Sequence, residues 1–191
     1  MAGIKLFAVS AALFIAGLVL GAGAVYLLPG TVDGVGGEAR IYYIVPVEWT
    51  FGLYDENWKP IERIEVNKGE RVILVVVPRS FLPPELYESL EERFVEEAVA
   101  QGLLAGEEDF EKYEEEASKQ LGKDVYGAEY IPHGVAIEGY ENVVNLSLEE
   151  GEIVVVELVA DKPGSYDIYC SLFCGWGHGF MRLQDAFVVR G

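Results

Sequence analysis

Both cysteines of the chain, one of its two histidines and one of its two methionines fall in one short stretch, Cys170-Ser-Leu-Phe-Cys174-Gly-Trp-Gly-His178-Gly-Phe-Met181. Thiolate, imidazole and thioether are soft and borderline donors, a set that suits copper better than the harder metals. A blue-copper centre uses a single cysteine with two histidines and a weak methionine. Two cysteines separated by three residues can instead each bridge the same pair of ions. His178 and Met181, following at ligand spacing, can then cap that pair. A disulfide is the rival use of Cys170 and Cys174 if the domain lies outside the cytoplasm; the following histidine and methionine favour metal.

The elements that must position this stretch read as strands. Residues 41–47 are rich in β-branched and aromatic side chains, and residues 61–66 alternate apolar and polar. Asn67-Lys68-Gly69-Glu70 is a turn, and residues 71–77 form a nearly continuous apolar run suited to a buried strand. Further strands are expected at 135–137, 143–148, 153–159, 166–170 and 180–189, with Gly151, Pro163 and Gly164 supplying turns. Many short strands divided by turn signals indicate a mainly β protein, a sandwich or barrel.

Residues 81–129 differ in kind. They are dense in Glu, Leu and Ala, and Pro83-Pro84 can open a helix. Leu86, Leu90, Phe94, Val95 and Val99 recur at helical spacing, and a second acidic helix is expected over about 107–121. This segment reads as a helical insertion between two strands. It is expected to be a solvated cover over one flank, whose removal leaves the metal site unchanged.

Residues 6–28 form an apolar run broken only by Ser10, long enough to cross a bilayer core that needs about 20 helical residues. Lys5 and the amino terminus at its start place the N-terminus in the cytoplasm. Residues 1–29 are thus expected to be a single transmembrane anchor, 30–40 a Gly-rich linker, and 41–191 a domain outside the cytoplasm at the cell membrane. A signal peptide cut near Ala22-Gly23-Ala24 is the alternative, but the run exceeds a usual apolar region of about 7–15 residues. Gly17 and Gly21 offer a weak Gly-x-x-x-Gly contact for another membrane helix. The formal charge of −18 excludes nucleic acid as a partner and favours steering of cationic ones.

The cysteine loop resembles the dinuclear CuA motif, Cys-x-x-x-Cys-x-x-x-His-x-x-Met, of subunit II of haem-copper oxidases, with every ligand position matched. Pro163-Gly164-Ser165-Tyr166 resembles the turn and strand that lead into the first cysteine of that family. The resemblance implies a cupredoxin-like Greek-key β-sandwich holding two copper ions at one end. It implies as ligands His133, Cys170, Cys174, His178, Met181 and the backbone carbonyl of Leu172, where many family members carry Glu or Gln. His133, in Ile131-Pro132-His133-Gly134-Val135, is the one histidine upstream of the loop; on residue type alone it is also what a surface loop carries. Trp49 and Phe51 fall where the family has an aromatic segment near the metal, coupling to it or packing against it. Trp176 is an electron-uptake surface or a hydrophobic lid.

The function so implied is that of an oxidoreductase subunit with no oxygen-reducing site of its own. It would take electrons from an external carrier, cytochrome c or a small blue-copper protein. It would pass them to a membrane subunit I that carries haems and further copper. A single anchor resembles the B-type enzymes. The CuA subunit of a nitric oxide reductase is the alternative. A Sco-type copper chaperone or thiol oxidoreductase fits less well, since its Cys-x-x-x-Cys lies early and ahead of a helix.

Overall fold

A computed structural model describes residues 24–28, 39–47, 49–121, 133–142, 144–148 and 152–191. In chain order the strands are β1 (Ala24–Leu28), β2 (Arg40–Val47), β3 (Thr50–Tyr54), β4 (Ile64–Asn67) and β5 (Arg71–Val76), then β6 (His133–Ile137), β7 (Asn145–Leu148), β8 (Glu152–Val159), β9 (Gly164–Tyr169) and β10 (Arg182–Arg190). They form two five-stranded sheets, ordered β1-β8-β5-β2-β3 and β4-β10-β9-β6-β7. The chain is mainly β, as its strand signals predict.

Strand alternation builds the layers. In β2, Tyr42 and Ile44 face the core between the sheets, while Tyr43, Val45 and Val47 form a second cluster on the outer face, as a pleated strand requires. Val72, Leu74 and Val76 of β5 join the inner core with Val154, Val156 and Leu158 of β8. Ile168, Phe187, Val189, Val135 and Ile137 complete it from the other sheet. β5 is therefore buried on one face only, with Ile73 and Val75 half-buried on the other, rather than buried throughout.

The strand β3 escapes the sequence pattern because Gly52 interrupts it. A Cβ at Gly52 would lie 3.1 Å from Leu90 Cδ2, so this glycine admits the helix that covers the strand. That helix, α1 (Pro84–Ala100), has proline at its first turn, where the missing N–H costs nothing. Its Tyr87 and Leu90 close the outer cluster over β2 and β3. Phe94 and Ala98, one and two turns on, reach the main core. The second helix, α2 (Glu107–Leu121), sends Phe110 and Ala117 into the same core.

The end of the N-terminal apolar run is extended, not helical. β1 pairs in parallel with β8, from Ala24 beside Glu152 to Leu28 beside Val156. The extended edge of β8 offers a free ladder, and Val25 and Tyr26 suit a strand. Residues 24–28, the end of the expected anchor, thus lie in a strand. Residues 1–23, which carry the rest of the expected anchor, lie outside the described residues, as do 29–38. Among the described residues no helix is long and apolar enough to cross a membrane.

Strand directions sort the connections into two poles. β2 runs parallel to β5 and antiparallel to β3, and β9 runs antiparallel to both β6 and β10. The β2–β3 turn, the ends of β5 and β9, and the starts of β6 and β10 therefore share one pole. The turns around residues 67–70, 138–140 and 160–164 share the other. The helical insertion leaves from β5 and the chain re-enters the sheet at β6, both at the first pole.

Candidate metal centre

The ladder between β9 and β10 continues one step beyond Tyr169 and Arg182: the Cys170 amide donates to the Met181 carbonyl at 2.9 Å. That bond closes the neck of the loop and brings its first and last donors side by side. On the other flank β6 pairs with β9 at Ala136 and Tyr169. Extending that register lays His133 and Gly134 along the start of the loop. His133, Cys170 and Cys174 are all buried, with one donor atom from each within 4.8 Å of the others.

The remaining donors converge on the same point. The two sulfurs are 3.7 Å apart and unbonded, so both thiols are free. His178 Nδ1 lies 3.6 Å and Met181 Sδ 3.9 Å from Cys174 Sγ. The Leu172 carbonyl oxygen lies 3.0 Å from Cys170 Sγ. All the atoms expected as ligands are thus gathered at one pole of the sandwich. The disulfide reading has no support in this arrangement.

The polar accounting marks the site as built for a ligand. Nδ1 of His133 is buried with no hydrogen-bond partner in the protein, a costly state unless something else binds there. Cys170 is held well below the usual thiol range, first by the Cys174 thiol hydrogen-bonded to it and against the opposing effect of burial, with the His133 imidazole and then the Gly134 N–H, donating at 3.4 Å, as lesser causes. Cys174 is pushed well above that range, first because its proton is held in that same bond and then by burial. Two thiols, two imidazoles and a thioether, with no carboxylate among them, fit a soft or borderline ion.

Supporting the loop from beneath is Trp49, which sits in the β2–β3 turn with φ 54° and no exposed surface. Left-handed backbone at a bulky residue is a strained conformation that the surroundings must enforce. Its Nε1–H donates to the Cys174 carbonyl at 3.1 Å. A Cβ at Gly177 would fall 1.9 Å from Trp49 Cγ, so only glycine lets the loop lie on the indole. Phe51 is buried in the core. Packing is therefore what the structure shows for Phe51, and packing plus one hydrogen bond for Trp49.

Trp176 is half-buried, stacked on Tyr113 of α2 with ring centroids 3.7 Å apart and planes at 8°. Phe110 meets Trp49 edge-on at 5.5 Å, and Phe94 lies 6.3 Å from the same ring. The insertion, expected as a cover of one flank, thus packs on the loop that carries the donors through Tyr113 and Trp176. Phe110, Tyr113 and Ala117, spaced three and four residues apart on one face of an acidic helix, are the signal that could have shown this. The loop's bare surface is instead Phe173, 55% exposed beside His178, and Phe180, 40% exposed.

No family model matches the chain, and no curated relative matches it. Among solved structures, a chain of a haem-copper terminal oxidase dimer is similar over 98% of this chain and 97% of that one, at 16% identity and a TM-score of 0.43. An oxidised amicyanin variant is similar over 83% of this chain and 88% of that one, at 16% identity and a TM-score of 0.30. Overlap this slight leaves the functional reading to the geometry of the loop.

Proposed function

We propose that this chain is the electron-transfer subunit of a haem-copper terminal oxidase, a cupredoxin-like domain holding two copper ions. One observation carries the reading: every donor of the Cys-x-x-x-Cys-x-x-x-His-x-x-Met pattern, with His133 and the Leu172 carbonyl, meets at one pole, and both thiols are free. Cys170, Cys174, His133 and His178 would hold the two ions, with Met181 and the Leu172 carbonyl as weaker donors. A copper pair sharing one unpaired electron spreads the charge change of reduction over both ions and so passes electrons with little reorganisation.

The chain's own residues do the rest. The Gly134 N–H holds negative charge on Cys170, and the Cys170–Met181 backbone bond fixes the neck. The Trp49 Nε1–H holds the Cys174 carbonyl, and Gly177 lets the loop lie on the indole. Burial of Cys174 and Met181 keeps bulk water from the donors, which suits a site that must not bind substrate. The role in the membrane, anchored by residues ahead of Ala24 and delivering electrons to a haem-bearing subunit, belongs to the same proposal.

The test is isolation of the full chain from its own membranes. It should come with a haem-bearing partner, and a reduced carrier protein should bleach its copper absorption before the haems are reduced. Recovery of the chain alone, with dithiol-oxidising activity at Cys170 and Cys174, would instead establish the chaperone or oxidoreductase reading.

A further inference from the structure

The helical insertion leaves and rejoins the sheets at the pole that carries the donor loop, and its aromatic side chains pack on that loop's Trp176 and on Trp49 of the β2–β3 turn beneath it. We propose that Phe110 and Tyr113 of α2 are positioning residues for the metal-binding loop, holding residues 174–178 in their ligating conformation before any metal arrives. The inference rests on reading this loop as a metal site. Tyr113 lies flat on Trp176, and Phe110 meets the edge of Trp49. Trp49 and Trp176 touch each other edge-on at 5.5 Å. Trp176 lies between Cys174 and His178 in the chain, and Trp49 bonds to the Cys174 carbonyl. The insertion therefore meets the Cys174–His178 segment directly at Trp176 and, through Trp49, at the Cys174 carbonyl.

The physical consequence is linkage. A loop held in its bound geometry gives up less conformational freedom when it binds, so its affinity is higher. Coupling of this kind is reciprocal, and metal binding must in turn protect α2 from opening. A short sandwich connection in place of the insertion would lack both effects.

Three full-length variants decide it: Tyr113→Ala, Tyr113→Phe and, at the far pole, Val66→Ala, a core truncation remote from the loop. Two readouts are needed. Amide hydrogen exchange over residues 174–178 is measured on the metal-free chain. The absorption spectrum and the rate of copper loss to a chelator are measured after loading with copper(II). Tyr113→Ala should speed exchange and copper loss by about three- to tenfold, the scale of one aromatic contact, and shift the spectrum. Tyr113→Phe keeps the stack and should behave as the parent. Val66→Ala should lower global stability with both readouts unmoved. Parent-like exchange and copper retention in Tyr113→Ala would overturn the proposal, as would equal changes in Val66→Ala. Should Tyr113→Ala lose cooperative unfolding, Tyr113→Leu keeps apolar bulk without the ring and is held to the same outcomes. A parent chain that takes up no copper sinks the metal reading, while the exchange comparison still decides whether Tyr113 positions the loop.

Discussion

The two poles of the sandwich are built from the same strands yet treat their polar groups in opposite ways. Among the described residues, the turns of the far pole at 67–70 and 160–164 are closed by partners of their own. Glu70 accepts from the Asn67 backbone at 3.0 Å and from its side chain at 2.7 Å. Tyr166 donates to the Lys162 carbonyl, Lys162 Nζ donates to the Gly139 carbonyl, and the Gly69 amide donates to Ala160. At the loop pole a histidine nitrogen is buried without a hydrogen-bond partner, beside two free thiols joined by no disulfide. Buried polar atoms are rarely left unmatched. The difference therefore separates turns that only end strands from a pole shaped for something the protein binds.

The sharpest way to break that contrast is to remove one donor. Cys174→Ser should abolish the two-ion centre, leaving at most one ion per chain by metal analysis; a retained pair would show that the second thiolate is dispensable. Removing the insertion comes next. Replacing residues 82–129 with a short Gly/Ser connection strips Phe94 and Phe110 from Trp49 and Tyr113 from Trp176. Loop closure entropy changes little on such shortening, so weakened copper retention and increased indole exposure, read by tryptophan fluorescence, are the expected result. An unaltered spectrum would restore the insertion to a passive cover.

Trp49→Ala should cost about 3–5 kcal/mol in denaturant unfolding, as buried aromatic truncations do, and loosen the loop with it. Gly177→Ala tests the same contact from the opposite side and should displace the indole. The smallest effect belongs to the far pole. The Glu70 carboxyl is held below the usual carboxylate range, first by the Asn67 backbone N–H and then by the Asn67 side chain. A depressed folded pKa adds stability that is present above the unfolded value of about 4.3 and is lost as pH falls through the folded value. Glu70→Gln should thus cost roughly 0.5 kcal/mol at neutral pH, discounted for solvent screening. It should flatten the acid limb of stability and leave copper binding untouched. An effect on copper would mean that the poles are not independent.

What the sequence made legible follows from which interactions are local. The donor loop is contiguous, so its residue types and spacing sufficed to mark it, and the closed turn at Asn67–Glu70 is a local signal of the same kind. The strands β2, β4, β5 and β8 show in their own alternation or apolar density. β3 was hidden because Gly52 interrupts its apolar pattern, and the Leu90 side chain that crowds this glycine comes from a helix distant in sequence. The grip of Tyr113 and Phe110 on the loop was hidden for the same reason: it depends on β5 ending and β6 beginning at the pole where the loop lies. That is a property of topology, which residues 107–121 do not carry by themselves. The strand at Ala24–Leu28 likewise depends on a partner far along the chain, the edge of β8.

The central claim is that Cys170 and Cys174 jointly hold two ions that share one electron. The most direct measurement is the copper content and paramagnetic resonance spectrum of the full chain loaded with copper under conditions that keep both thiols reduced. Two coppers per chain, with one unpaired electron coupled equally to both nuclei, is the predicted result. A single copper with a blue-type spectrum, or a Cys170–Cys174 disulfide that excludes copper, would contradict it.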